Sequence, residues 1–158
     1  MAGEQPENGE GRNGDVKEKP KTVVERIRVT LVTGDVPDAA TNGEVYLTTG
    51  AREFNIKRPD IDDRQRGARD VYRLGAGANI DNAARNNPTG LPTWMLGPIG
   101  LRFEPQTTTP APDTWNLASA KVEVLRDDGV TDVWDLDPSL EGLWLGRQTT
   151  LTVWLIFL

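Results

Sequence analysis

The chain has 158 residues, 18 Lys plus Arg against 24 Asp plus Glu, and a formal net charge of −6 at neutral pH. That balance argues against a nucleic-acid partner, and against a plain anionic membrane unless a cation bridges the two. The absence of Cys and His removes disulfides, thiol chemistry, the usual general base and the usual transition-metal ligand.

Residues 1–20, MAGEQPENGEGRNGDVKEKP, carry almost no large apolar side chains, too few to offset the entropy of ordering. They are expected to form a flexible acidic tail, with a sandwich domain over 21–158. The alternative is an arm that orders on a partner. The N-terminus is too polar for a signal peptide, and the apolar run Leu151–Leu158 is too short to span a bilayer, so a soluble chain is expected.

Val23–Val32 alternates apolar Ile27, Val29 and Leu31 with polar neighbours, the period of a half-buried strand. Val45–Thr49 repeats the pattern after an acidic Gly- and Pro-containing loop. The two strands are expected to seed an antiparallel sheet. Glu53–Lys57 and Asp70–Leu74 follow as short strands, separated by the charged segment Arg58–Arg69. The 23 residues from Gly75 to Gly97 read as a long connection with at most one helical turn, at Asp81–Arg85. Ile99–Glu104 and Trp115–Leu125 alternate again, and Val130–Leu136 follows the Arg126–Gly129 turn. Leu140–Gly146 reads as an apolar corner. Gln148–Leu158 reads as a final strand, apolar on both faces, hence central or covered. Eight or so short strands with turn signals between them, and no convincing helix, indicate an all-β sandwich or barrel.

Several of these stretches, taken in order, resemble one family. Thr33-Gly34-Asp35 followed by Ala40-Thr41-Asn42-Gly43-Glu44-Val45-Tyr46-Leu47 resembles the opening of PLAT (LH2) domains, with their T-G-D turn and G-T-D-A-N-V-Y-L-like segment. Arg66-Gly67-Ala68-Arg69-Asp70-Val71-Tyr72-Arg73-Leu74 is similar to the family's R-G-x-x-D-x-F-x-L. Ile99–Arg102, Trp115–Val124, Trp134 and Trp144-Leu145 resemble its later strands. The resemblance implies an eight-stranded antiparallel β-sandwich of two four-stranded sheets. It also implies a non-catalytic module that docks onto membranes, lipids or protein partners, often with calcium. Asn42 stands where the family pattern has Asp, which replaces a charged ligand by a neutral amide.

Asp35, Asp38, Asn42 and Glu44 lie within ten residues around a turn, with Asp113 as a partner if two loops meet at one end of the sandwich. Calcium takes six to eight oxygen ligands, so a second loop would be needed. Equally, Asp and Asn are ordinary turn formers. Asp60, Asp62 and Asp63 beside Arg58, Arg64, Arg66 and Arg69 read as a surface ion-pair network. Trp94, Met95 and Leu96, and separately Trp144, have the chemistry of lipid- or partner-contacting loops, against the plainer reading that they cap the core. Trp, Tyr, Asp and Asn together also permit a sugar platform.

Without Cys, His or a nucleophile elbow an enzyme is not expected. The leading expectation is a binding module for a membrane, lipid or protein partner, with calcium as its candidate cofactor. The competing one is a structural subunit, as of a virion, using the sandwich and N-terminal arm for oligomer contacts.

Overall fold

A computed structural model describes residues 22–107 and 111–158; the tail expected over 1–20 lies outside them. Ten strands are described: β1 (Val24–Thr33), β2 (Glu44–Thr48), β3 (Glu53–Asn55), β4 (Arg69–Gly75), β5 (Gly100–Glu104), β6 (Trp115–Arg126), β7 (Thr131–Asp135), β8 (Leu143–Leu145), β9 (Thr152–Trp154) and β10 (Ile156–Phe157). They make two antiparallel sheets. One is ordered β10-β7-β6-β1-β4 with β8 also on β6, the other β3-β2-β5-β9. The expected sandwich is observed, with ten strands rather than eight, in sheets of six and four rather than four and four.

Alternation drives this arrangement. Ile27, Val29 and Leu31 of β1 and Val122 and Val124 of β6 face Val45 and Leu47 of β2 and Leu101 and Phe103 of β5, all 0–1 % exposed. Each such side chain, fully buried, contributes about 1.5–3 kcal/mol, so a register slip that turned them outward would be severely penalised.

The opening pair of strands corrects the sequence expectation. β1 pairs with β4 and β6, whereas β2 pairs with β3 and β5. No hairpin joins them: the chain crosses from one sheet to the other. The connecting loop gives its backbone bonds elsewhere, Gly34 N–H to the Asn116 carbonyl and Thr33 N–H to the Ala68 carbonyl, at 2.9 Å each.

The C-terminal run is likewise two edge strands and not one central strand. β9 closes the four-stranded sheet on β5, and β10 closes the six-stranded sheet on β7. The switch falls at Leu155, whose N–H donates to the Ile99 carbonyl at 2.9 Å. Apolar character on both faces therefore reflects a change of sheet, with part of the run left in solvent.

Strand register defines two ends. Val24 opposite Arg126, and Thr48 opposite Gly100 beside Trp154, mark one. Thr33 opposite Leu117, and Glu44 opposite Glu104, mark the other. Among the described residues no helix is long and apolar enough to cross a membrane.

Candidate functional site

The second end is polar and is built on the Thr33-Gly34-Asp35 turn. The Trp115 indole N–H donates to Thr33 Oγ1 at 3.0 Å, which anchors the turn to the core. A side chain at position 34 would overlap Asn116 Oδ1, so only glycine fits. Asp35 accepts from Arg66 Nε at 2.8 Å in an exposed pair, which fastens the Arg66-Gly67 turn beside it. The Thr41 hydroxyl donates to Asp113 Oδ1 at 2.8 Å, and the Gln106 N–H donates to Asp113 Oδ2 at 2.7 Å.

Of the five expected cation ligands, Asp38, Asn42 and Asp113 line one cleft of about 580 Å³. Asp35 stands apart with Arg66. Glu44 lies in a different cleft on the outer face of β2, 3.6 Å from Lys57 Nζ and accepting from Asn55 Nδ2 at 2.9 Å. Calcium asks for six to eight oxygens with charge to match. The described residues of the shared cleft offer two carboxylates, Asp38 and Asp113, and three side-chain amides, Asn42, Gln65 and Gln106, and both oxygens of Asp113 already accept hydrogen bonds. Among the described residues no three His, Cys, Asp or Glu side chains gather as a metal would require. The five expected ligands are thus not brought to one place: three share a cleft, and Asp35 and Glu44 lie outside it.

The charged segment before β4 keeps one expected surface pair, Arg58 with Asp60, but otherwise differs from expectation. Asp63, Arg64 and Asp70 are 5 %, 1 % and 6 % exposed, respectively; they are interior, not a surface network. Arg64 Nη1 donates to Asp63 Oδ2 at 2.7 Å and to the Tyr72 hydroxyl at 3.3 Å, and Nη2 donates to the Gly43 carbonyl at 3.1 Å. Its backbone N–H donates to Asp70 Oδ2 at 2.7 Å, and the Tyr72 hydroxyl donates to Asp63 Oδ2 at 3.1 Å. Burial pushes the Tyr72 phenol well above its ordinary range; Arg64 opposes this while the two aspartates reinforce it. Arg64 also has a positive φ of 61°. One buried guanidinium thus ties the Gly43, Ile56 and Tyr72 segments together beneath the polar end. Nothing in sequence periodicity separates it from the exposed arginines on either side.

The first end is apolar. Trp94, in a short 3-10 turn over Thr93–Met95, is 71 % exposed. Met95 is half-buried. Leu96, expected beside them on the surface, is instead in the core. Trp154, Ile156, Phe157 and Leu158 are each about half exposed or more. Trp154 reaches the same end as Trp94, pairing with Gly100 beside the Gly50–Leu96 contact, whereas Ile156, Phe157 and Leu158 run along the outer edge of the six-stranded sheet beside Asp135, Trp134 and Val133. Phe157 packs on Trp134 with ring centroids 5.0 Å apart. The neighbouring charges are internally paired, Arg126 with Asp128 and Asp132. Trp144 does not join this group. It is half-buried on β8 at the polar end, in a small cleft with Pro37 and Asp38. The sequence showed Trp94; the surface made by the split C-terminal run was missed.

The architecture is that of the PLAT/LH2 β-sandwich. Among solved structures, the chain is similar to alpha-toxin from Clostridium perfringens at 18% identity and a TM-score of 0.57, and to alpha-toxin from Clostridium absonum at 19% and 0.53. Each match covers 90% of this chain and 34% of the toxin, in its C-terminal PLAT/LH2 domain. A lipoxygenase matches at 13% identity and a TM-score of 0.50, covering 84% of this chain and 16% of that enzyme. The chain thus spans about a third of the toxins' length. No family model and no curated protein matches the sequence. At these identities the likeness is one of fold.

Proposed function

We propose that the chain is a non-catalytic binding module that docks on a lipid surface through its apolar end. The observation that carries this reading is the exposure of Trp94 and Trp154 at that end, continued by exposed Ile156, Phe157 and Leu158 along the adjoining sheet edge. Indole rings favour the boundary between head groups and acyl chains, and aliphatic neighbours add burial at about 25 cal/mol per Å². Paired charges around the patch suit a zwitterionic surface, which matters for a chain of net charge −6. The PLAT/LH2 architecture supports a docking role, since the resemblance implies membranes, lipids or protein partners.

Co-sedimentation with phosphatidylcholine vesicles, in calcium and in chelator, tests this. Pelleting in both is expected, and Trp94→Ser with Phe157→Ser abolishes it. Pelleting in calcium alone would return the role to the Asp38, Asn42 and Asp113 cleft. No pelleting in either, with concentration-dependent self-association, would favour the assembly-subunit reading.

A further inference from the structure

The long connection from Gly75 to Gly97 has a structural use that the docking end does not explain. Its turn around Asp81–Asn86 folds over the outer face of β2 and β3. The Asp81 N–H donates to the Lys57 carbonyl at 2.7 Å, and Asn86 Oδ1 accepts from the Asn55 N–H at 2.9 Å. The Arg52 guanidinium donates to the Arg85 carbonyl. Asn86 is 7 % exposed, and its amide also holds the turn's own carbonyls of Asp81 and Asn82. Sheet and turn thus form two fastened walls around a cleft of about 590 Å³, within the roughly 300–1,000 Å³ typical of small-molecule sites.

The lining is chemically mixed. Its three carboxylates, on Glu44, Glu53 and Asp81, are matched by three cations, Arg52, Lys57 and Arg85. Glu53 is further tied to Arg102 at 2.7 and 2.9 Å, and this hydrogen-bonded pairing holds its carboxyl below the ordinary range. An anion would meet those carboxylates, and a cation would meet the guanidinium groups. Among the described residues, the Tyr46 hydroxyl and the side chains of Asn82 and Arg85 make no hydrogen bond or ion pair, although all three line the cleft. Arg102 packs 4.2 Å from the Tyr46 ring centroid from the neighbouring strand.

The geometry points to a binding site for a neutral, polyhydroxylated ligand, a saccharide, in the cleft between the β2–β3 face and the 81–86 turn. Hydroxyl groups both donate and accept, so they match the unpaired amide, phenol and guanidinium groups of a lining whose formal charges sum to zero. The site is on a sheet face, separate from the apolar end, and does not depend on lipid docking.

The full chain, applied to an array of neutral and acidic oligosaccharides and followed by calorimetric titration of the best binder, tests this. A neutral oligosaccharide binding with Kd below about 1 mM is expected. Asn82→Gly, which keeps the positive φ of that position unstrained, and Arg85→Ala should each weaken it about tenfold with the melting temperature unchanged, and Trp94→Ser should leave it intact. Equal binding to free oligosaccharide and to vesicles bearing it as a glycolipid identifies a free glycan as the ligand; preference for the vesicles identifies a lipid head group. Retention of acidic glycans only, of no glycan, or of wild-type affinity in both cleft variants would overturn the assignment.

Discussion

The two ends of this sandwich are made from the same strands but are stabilised in different ways. At the polar end specific side-chain hydrogen bonds fasten the loops to the core. Thr33 takes the Trp115 indole, Asp113 takes Thr41 and Gln106, and Arg64 reaches three separate segments. At the apolar end the large side chains beyond the core meet solvent: Trp94 and Trp154 are 71 % and 54 % exposed. Polar loops with satisfied bonds are complete as they stand. Exposed aromatic and aliphatic groups gathered at one place are not, and they mark a surface that gains by being covered. The difference favours the opposite pole, and not the acidic loops that sequence suggested, as the docking surface proposed above.

The contrast breaks most sharply at Arg64. Replacement by Met leaves Asp63 charged and unpaired in the interior. The expected cost is about 3–5 kcal/mol in chemical denaturation, with the polar-end loops protected least in hydrogen exchange. A loss under about 1 kcal/mol would mean that the buried network does not hold that end. Gly34→Ala should come next, at about 1–3 kcal/mol, because the new methyl displaces Asn116. At the apolar end the signs reverse: Trp94→Ser should lower vesicle affinity about tenfold, or about 1.4 kcal/mol, while leaving the melting temperature within a degree or two. Tyr72 supplies a pH signature for the polar end alone. Its folded pKa is raised by burial, so the protonated form is favoured in the native state. Stability is therefore unaffected below the unfolded value near 10 and falls as pH rises beyond it. Tyr72→Phe should abolish that alkaline loss in pH-dependent melts. The smallest effect belongs to Asp35→Asn. The exposed pair with Arg66 is worth at most about 0.5–1 kcal/mol, and salt titration of the wild-type melt should erase it.

Much of this was open to reading from the chain. Alternation at Ile27, Val29 and Leu31, at Leu101 and Phe103, and at Val122 and Val124 located the strands and their buried faces, because a period of two allows only one face to be apolar. The PLAT-like order of Thr33-Gly34-Asp35, Trp115 and the later strands matched the sandwich that formed. Alternation does not say which strands pair, so β1 and β2 were expected as neighbours and lie in opposite sheets. Nor does it separate an arginine that is interior from one in solvent. Arg64 and Arg66 are two residues apart in one charged run, yet only Arg64 is enclosed, by contacts from Gly43, Ile56 and Tyr72.

Sequence by itself determined the class of fold and the composition of the core, because both follow from local periodicity and from the free energy of hiding apolar side chains from water. Only the tertiary structure decided which loops share an end, which turn forms the second wall of the cleft on the β2–β3 face, and that the C-terminal run divides at Leu155 between two sheets. Those outcomes depend on hydrogen bonds between residues tens of positions apart, such as Asn86 with Asn55 and Leu155 with Ile99. Such pairings are chosen by the folded chain as a whole and leave no trace in any short stretch of it.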